Sequence, residues 1–386
     1  MTSHRFIYLD HAATSFPKPE IVYQAVDKAL REECGNPGRS HHRLALSATR
    51  VVEEARMFCA RLFHAASPDS IVFTNNTTTA LNMAIQGTVS PRDHVITSSL
   101  EHNSVTRPLK YLAGKGIEVT KIPTDLHIGL SPAALEQVVQ KNTKLVICNH
   151  VSNVTGTISD IAAIGGFCRD RDILFLVDGA QSAGMRPVDV QKMKIDLFAF
   201  PGHKGLLSPQ GTGGLYIRPG LEFAPILQGG TGSASESLEQ PRFSPQRYES
   251  GTLNIPGLAG LAAGVRYLLD VGITEVAKHE KVLTTCLLQG IARIPGITLV
   301  GPDETVERGN VVSICFHRIS VPEATLMMDA AFSIAVRGGL HCSADAHRTM
   351  GTLENGGTLR ISPGYLNTLE EIEQCLQSLA ICAKGV

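Results

Sequence analysis

Two apolar runs that each end in an ionisable residue decide the fold of this chain. The first is Ile173-Leu174-Phe175-Leu176-Val177-Asp178, and the second is Leu197-Phe198-Ala199-Phe200-Pro201-Gly202-His203-Lys204. Nearly continuous apolar runs of this length are typical of strands that are buried on both faces of a parallel sheet. Ligands collect at the carboxyl ends of such strands. The sequence therefore predicts that Asp178 and Lys204 meet in one crevice.

An acid and a lysine at one sheet edge allow more than one interpretation. A pyridoxal phosphate (PLP) site requires both, a lysine that binds the cofactor covalently and a carboxylate beside the pyridine nitrogen. A buried ion pair, or two solvated loop ends, would place the same residue types there. Asp178 and Lys204 alone leave these alternatives open.

Composition and charge limit the kinds of partner. The chain has 386 residues, 43% of them hydrophobic and 18% charged, and a formal net charge of -1. This length suggests two or three domains. Lysine and arginine are scattered, so neither nucleic acid nor an acidic membrane is indicated as a partner. No apolar run reaches the roughly 20 residues of a membrane helix, and residues 1–6 lack the pattern of a signal peptide.

The nine cysteines do not form a recognisable metal or disulfide pattern. Their number is odd, their spacing is irregular and no C-x-x-C occurs, so neither a disulfide framework nor a zinc site is predicted. A cytoplasmic location fits best, because thiols stay reduced there. Most of the cysteines lie in apolar segments and are interpreted as small core residues. Cys342 is the exception.

Strands and helices alternate up to about residue 217, and polar residues follow most of the strands. This alternation predicts an α/β protein with a large, doubly wound, mainly parallel sheet. Residues 213–217 are expected to form an edge or return strand. The part after the helix near 255–271 has an α+β pattern. We therefore predict a large domain at residues 15–260 and a smaller α+β domain formed by residues 1–14 and 261–386.

Three consecutive threonines, Thr77 to Thr79, begin a predicted helix directly after the strand at residues 71–73. Backbone N–H groups and the helix dipole make such an N-terminus an anion site. The alternative is that a threonine simply caps the helix. Because three hydroxyls exceed what one cap needs, we favour phosphate binding.

Short segments along nearly the whole chain match the sequence pattern of a known family. They run from Tyr8-Leu9-Asp10-His11-Ala12-Ala13-Thr14 to Thr358-Leu359-Arg360-Ile361-Ser362. Taken together and in order, they resemble the class V aminotransferase-type PLP enzymes of fold type I. More narrowly, the chain is similar to the cysteine desulfurase and selenocysteine lyase group. The resemblance implies PLP as the cofactor and a homodimer with composite active sites.

The resemblance implies a role for each matching position. Lys204 would bind PLP covalently and act as a base, and Asp178 would keep the pyridine nitrogen protonated. His102 would stack on the ring and relay protons, for which an ordinary pKa of about 6.5 would suit; a satisfied core histidine is the alternative. The other contacts would be Gln181 and Asn153 on the phenolic oxygen, Thr77, Thr78, His203 and Thr252 of the partner subunit on the phosphate, and Arg360, His42 and Asn153 on the substrate. A solvated arginine is the alternative for Arg360.

Pro201 departs from the family pattern. Many relatives carry Ser or Thr at this position, and that hydroxyl contacts the phosphate. Proline has neither a side-chain hydroxyl nor a backbone N–H. We expect the remaining phosphate contacts to suffice.

Cys342 distinguishes between the reactions that the superfamily performs. It lies in the glycine-rich stretch Val336-Arg337-Gly338-Gly339-Leu340-His341-Cys342-Ser343-Ala344, where a loop with neighbouring arginine and histidine favours a reactive thiol. The resemblance implies that this thiol attacks the sulfur of L-cysteine, so that a persulfide forms on Cys342 and L-alanine is released. A sulfur-acceptor protein would be a further partner. The alternatives are a selenocysteine lyase, another class V aminotransferase or β-lyase in which Cys342 is incidental, and a non-enzymatic PLP-binding protein.

Overall fold

The computed structural model describes residues 6–38, 42–233 and 236–385. In these ranges the strands are β1 (Ile7–Tyr8), β2 (Ile71–Thr74), β3 (His94–Ser98), β4 (Glu118–Ile122), β5 (Thr143–Asn149), β6 (Leu174–Asp178), β7 (Leu197–Pro201), β8 (Gly213–Ile217), β9 (Ile297–Val300), β10 (Val312–Phe316), β11 (Ile334–Ala335), β12 (Arg337–Gly339) and β13 (Thr358–Ile361). The helices are α1 (Glu20–Lys28), α2 (Arg43–Leu62), α3 (Thr77–Thr88), α4 (Asn103–Ala113), α5 (Pro132–Glu136), α6 (Ile161–Arg169), α7 (Ile255–Val271), α8 (Ile273–Ile291), α9 (Val321–Phe332), α10 (Ala344–Met350) and α11 (Leu369–Cys382).

The large sheet places the two apolar runs side by side. Within the described residues its order is β2-β8-β7-β6-β5-β3-β4, and β8 is the strand that runs against the others. Strands β6 and β7 are parallel neighbours, with Asp178 opposite Ala199. The predicted doubly wound, mainly parallel sheet is therefore confirmed.

Residues 213–217 were expected to form an edge strand or a return strand. Strand β8 is a return strand, and it does not lie at an edge of the sheet. It pairs with β2 on one side and with β7 on the other, and all five of its residues are buried. Its interior place explains why Gly213-Gly214 begins it. A Cβ atom at Gly214 would lie 2.5 Å from the ring of Phe200 and 2.9 Å from the Val72 carbonyl oxygen.

Helices cover both faces of the large sheet because side chains alternate along its strands. On one face, Phe198 and Phe200 of β7 pack around Phe63, with ring centroids 5.1 and 4.9 Å from it. On the other face, Leu197 and Ala199 join a separate apolar core. The first core includes side chains of α2, α6 and α7, and the second includes side chains of α3 and α4.

The smaller unit is a four-stranded antiparallel sheet, β12-β13-β10-β9, packed against α8, α9 and α11. Strand β1 pairs in parallel with β11, and Ile7 and Leu9 lie in the core of this unit. The described N-terminal residues thus pack with the C-terminal part. The boundary at residue 260 stays a prediction, and the packing favours a division within α8, between Val276 and Leu283. Helix α7 and the start of α8, as far as Val276, pack with the large-domain core, whereas α8 joins the small-domain core from Leu283 onwards.

Most cysteines are core or partly buried residues, as predicted: Cys59, Cys148, Cys168, Cys375 and Cys382 are buried. Burial raises the pKa of the Cys59 thiol to about 12. Cys34 is exposed, like Cys342. Its exposure was not predicted from the sequence. Across the described ranges, a single helix long and apolar enough to span a membrane does not occur. Only α7 and α8 together, bent by 82° where they meet, have the length and composition.

Candidate active site

A cavity of about 230 Å³ lies between the two units at the carboxyl ends of the central strands. The residues that line it include most of the predicted site: Thr77, Thr78, His102, Asn153, Asp178, Gln181, His203, Lys204 and Arg360. They come from six separate segments of the chain, five in the large domain and one, Arg360 on β13, in the small domain. The structure therefore brings these distant residues to one place, and their individual roles stay predictions.

Lys204 and Asp178 both line the cavity, Asp178 as the last residue of β6 and Lys204 three residues after the end of β7. Burial, helped by the nearby Arg360 guanidinium, lowers the pKa of Lys204 to about 8, although Asp178 acts in the opposite direction. Burial also raises the pKa of Asp178, whose Oδ1 accepts a hydrogen bond from the Ala180 N–H at 2.9 Å. A lysine amine with a pKa near neutrality can act as a nucleophile or a base.

His102 is held in one orientation at the start of α4. Its Nδ1 accepts the backbone N–H of Ser104 at 3.0 Å and lies 2.9 Å from the Ser104 hydroxyl. Because Nδ1 is an acceptor, the neutral ring carries its proton on Nε2. Burial, helped by Lys204, lowers the pKa of His102 to about 4. His102 therefore does not keep its ordinary pKa, and it is a neutral N–H donor at physiological pH.

The N-terminus of α3 forms one end of the cavity. Asn76, not a threonine, caps this helix, because its Oδ1 accepts the N–H of Thr79 at 2.9 Å. The cap alternative therefore does not account for Thr77 and Thr78, which line the cavity. The Thr78 hydroxyl lies 2.7 Å from that of Ser104. Free helix N–H groups and hydroxyls together favour an anion at this end.

The cavity fits PLP. Lys204, the buried carboxyl of Asp178 and the α3 N-terminus are the three groups that PLP requires, and they line one space. Gln181 donates from Nε2 to the Ala12 carbonyl at 2.9 Å, and its Oε1 has no partner among the described residues. Pro201 ends β7 opposite Gly213 and is absent from the described residues that line the cavity.

Arg360 is almost fully buried, with 1% exposure, so the solvated-arginine alternative is wrong. Its Nη2 donates to Asp10 Oδ1 at 2.7 Å, and its Nη1 donates to the Asn153 carbonyl at 3.1 Å. Its Nε has no partner within the part of the chain that the structure describes. A buried guanidinium that lines the cavity suits a substrate carboxylate.

Cys342 lies in a strained loop beside the cavity. Its φ angle is 59° and that of His341 is 49°, the left-handed region that non-glycine residues rarely occupy. The thiol is exposed, and its Sγ lies 3.6 Å from Arg337 Nη2. His341 and Arg337 line the cavity, so the thiol stands at its margin.

Asn153 contacts the cysteine loop directly. Its Nδ2 donates to the His341 carbonyl at 2.7 Å, and its Oδ1 accepts from the Ser343 hydroxyl at 3.0 Å. The predicted contact with the cofactor ring would therefore have to use the second N–H of the same amide. Sequence reasoning missed several of these partners, namely Asp10, Ser104 and Ser343. Asp10 lies just after β1, as polar residues lie after other strands. This position is the one local feature of the sequence that could have indicated a role for Asp10 in the site.

His42 and Thr252 lie outside this cavity. His42 is exposed and caps α2, with its Nδ1 accepting the Ala45 N–H at 3.3 Å. Thr252 is exposed, and its neighbours Gly251 and Leu253 line a separate groove of about 610 Å³. The structure of one chain does not bring either residue to the site, and their roles stay predictions.

Comparison with known proteins identifies the family. Residues 7–375 match the family model described as aminotransferase class-V. A probable cysteine desulfurase of Methanothermobacter thermautotrophicus is 36% identical over 95% of this chain and 92% of the relative. A probable cysteine desulfurase of Pyrococcus abyssi is also 36% identical, over 98% and 95% of the two chains.

The fold agrees with this relationship. The apo structure of a cysteine desulfurase from Thermococcus onnurineus matches with a TM-score of 0.92 and 34% identity, covering 99% of this chain and 95% of that one. The cysteine desulfurase CsdA from Escherichia coli matches with a TM-score of 0.89 and 29% identity over the same shares. The chain therefore belongs to the aminotransferase class-V family, on the branch that contains the cysteine desulfurases.

Proposed function

We propose that this protein is a PLP-dependent cysteine desulfurase, which converts L-cysteine to L-alanine and carries the sulfur as a persulfide on Cys342. The aminotransferase class-V family is PLP-dependent, and the cavity offers the groups that PLP needs. The single observation that supports sulfur chemistry is the exposed Cys342 thiol. It stands at the margin of the cavity that contains Lys204 and Arg360, within 3.6 Å of the Arg337 guanidinium.

In this proposal the cofactor is held at three points. Lys204 would bind it covalently, Asp178 would pair with its ring nitrogen, and Thr77, Thr78 and His203 would contact its phosphate. When bound, PLP supplies an electron sink for the charge that develops at the substrate α-carbon.

Arg360 and Lys204 handle the substrate. The Arg360 guanidinium binds the carboxylate of L-cysteine, through donors that the Asp10 contact leaves available. This fixes the α-carbon over the cavity, where the Lys204 amine removes its proton. Because burial lowers the pKa of Lys204 to about 8, a large share of its free amine is neutral near pH 8.

Cys342 then takes the sulfur. Its thiolate, beside the positive charge of Arg337, attacks the sulfur of the substrate. The S–S bond forms as the Cβ–S bond breaks. The carbon product keeps that electron pair and gains a proton at Cβ. Lys204 returns the α-proton, L-alanine leaves, and Cys342 retains the sulfur as a persulfide.

The test follows alanine formation from L-cysteine by the PLP-loaded protein. Wild type and Cys34→Ala, a control at the other exposed cysteine, should release alanine and sulfide in the presence of a reductant. Cys342→Ala should lose sulfur transfer and retain the visible absorbance of bound PLP. Full activity of Cys342→Ala would contradict the assignment, and a keto-acid product would indicate an aminotransferase instead. A much higher rate with selenocysteine than with cysteine would indicate a selenocysteine lyase.

The proposal includes a homodimer in which Thr252 contacts the phosphate bound by the other subunit. Thr252 is exposed and lies outside its own cavity, which supports this assignment. Helix α2 also exposes Leu44, Leu46 and Met57, each by more than 40%, as expected of a surface that a second copy covers. The exposed Cys342 persulfide would be accessible to a sulfur-acceptor protein. We place the enzyme in the cytoplasm, where exposed thiols such as Cys34 and Cys342 remain reduced.

A further inference from the structure

Three hydrogen bonds fix the backbone on either side of Cys342 to the large domain. The Asn103 N–H donates to the Cys342 carbonyl at 2.7 Å. The Asn153 side chain donates to the His341 carbonyl at 2.7 Å, and it accepts from the Ser343 hydroxyl at 3.0 Å. The small domain therefore presents its nucleophile in a loop that is attached to the loops after β3 and β5 of the other domain.

The orientation of the Asn153 amide follows from its partners. The His341 carbonyl oxygen can only accept, so the amide nitrogen must face it and the amide oxygen must face Ser343. A serine hydroxyl can then donate to that oxygen. Ser343 is fully buried, and a buried hydroxyl without a partner would be costly. The Ser343–Asn153 bond is therefore a specific contact.

These contacts oppose a strained backbone. His341 and Cys342 both have left-handed φ angles, 49° and 59°. Such conformations persist only where the surroundings over-determine them. Removal of a hydrogen bond that flanks Cys342 would let the loop relax and would move the thiol relative to the cavity.

The same asparagine also contacts the carboxylate-binding arginine. Arg360 Nη1 donates to the Asn153 carbonyl at 3.1 Å. Asn153 thus links the group that would hold the substrate to the loop that carries the thiol. A fixed distance between the two matters, because a misplacement of about 1 Å between reacting groups can cost a large factor in rate.

We infer that Ser343, through the Asn153 amide, and the Asn103 N–H are positioning groups that set the location of the Cys342 thiol over the substrate sulfur. This inference rests on the proposed function, in which Cys342 is the nucleophile. The two hydrogen bonds use different residues of the large domain, Asn153 and Asn103. Each can therefore be removed without altering Lys204, Arg360 or Cys342.

Two variants and two matched controls test this. Ser343→Ala removes the hydroxyl, and Ser343→Thr retains one. Asn103→Pro removes the N–H at the first residue of α4, where proline is well tolerated. The preceding residue, His102, already has the extended conformation that proline requires. Asn103→Ala keeps the N–H and controls for loss of the side chain.

Ser343→Ala and Asn103→Pro should each lower kcat for alanine formation by about 3- to 10-fold, as expected for one hydrogen bond. The KM for L-cysteine should stay close to wild type, because Arg360 is unchanged. Ser343→Thr and Asn103→Ala should retain near wild-type kcat. The second readout is the iodoacetamide alkylation rate of the Cys342 peptide in the PLP-free protein, which should rise above that of the matched control as the loop loosens.

Unchanged kcat in both variants would overturn the inference. An alkylation rate that falls in proportion to kcat would also overturn it, because such a fall would indicate a less reactive thiol instead of a displaced one. Failure of the proposed function is distinguishable. It would appear as wild-type protein that forms no alanine from L-cysteine. In that case an alkylation rate that is the same in the variants and in their controls would overturn the docking of the loop as well.

Discussion

Lys204 has a property that can be measured before any turnover. In the proposed function its neutral amine is the form that reacts with PLP, and burial together with Arg360 lowers its pKa from 10.5 to about 8. The rate at which PLP-free protein takes up PLP should therefore rise with pH and level off at about pH 9, one unit above this pKa. Stopped-flow absorbance at fixed PLP concentration measures this rate, with Lys204→Ala as the control that forms no adduct. A rate still rising steeply between about pH 9 and pH 10 would indicate an ordinary lysine.

Single residues also show where sequence reasoning ends. Asp178 and Lys204 could be placed together because each follows a buried run, and such runs form neighbouring parallel strands. The pairing of Arg360 with Asp10 joins residues 350 positions apart, and no local pattern predicts it. The same holds for the contact between Asn153 and Ser343. The lowered pKa of His102 depends on burial and on cations from both domains, which only the folded arrangement defines.

Strand β8 and helix α3 are coupled through one glycine. A Cβ atom at Gly213 would lie 2.8 Å from the Phe200 carbonyl oxygen and 2.9 Å from the Cα of Asn76, the residue that caps α3. Because both contacts are with backbone, Gly213→Ala should shift the start of α3. We expect weaker PLP binding and a loss of about 1–3 kcal/mol in the free energy of unfolding.

The matched control is Gly166→Ala in α6, where the nearest atom to a new Cβ is Lys194 Nζ at 3.9 Å. Its stability should stay equal or rise slightly, since alanine favours a helix. Fluorescence titration with PLP and thermal unfolding compare the two variants. Equal PLP affinity in Gly213→Ala and wild type would show that α3 does not depend on this contact.

At the level of strands and helices, the sequence predicts those features that depend on a local pattern of apolar residues. The apolar runs of β6 and β7 and the helix near residues 255–271 were predicted close to their observed bounds. The interior place of β8 was not, because a short apolar strand suits an edge or an interior position and its partners are distant in sequence. The packing of α7 with the large domain likewise depends on contacts that sequence periodicity does not specify.

The whole molecule should lose stability in mild acid. Burial lowers the pKa of six described histidines to about 4 or below, and these are His11, His102, His150, His203, His341 and His347. A histidine with a lowered folded-state pKa contributes stability above its unfolded pKa of about 6.5, and this contribution is lost as the pH falls towards the folded value. Glu101 and Glu280 act in the opposite direction, since burial raises their pKa to about 8.

Because the histidines outnumber these two carboxyl groups, the thermal midpoint of the PLP-free protein should rise between about pH 4.5 and pH 6.5. Differential scanning fluorimetry at constant ionic strength measures it. A midpoint that is flat or falling over this range would mean that the buried histidines are protonated in the folded protein.

The composite site predicts a gain on mixing subunits. A Thr252→Ala chain retains Lys204, and a Lys204→Ala chain retains Thr252. If Thr252 of the partner subunit contacts the phosphate, a mixed dimer contains one site with both groups. Desulfurase activity after co-refolding the two variants should therefore exceed the sum of their separate activities at low PLP concentration. Activity equal to that sum would indicate that each chain forms its site alone.

The central claim is that Cys342 receives the sulfur of L-cysteine. The most direct measurement is mass spectrometry of the protein after a single turnover with L-cysteine in the absence of reductant. We predict one added sulfur atom on the peptide that contains Cys342, in amounts equal to the alanine released, and none on the peptide that contains Cys34. Alanine release without added sulfur on Cys342 would contradict the account.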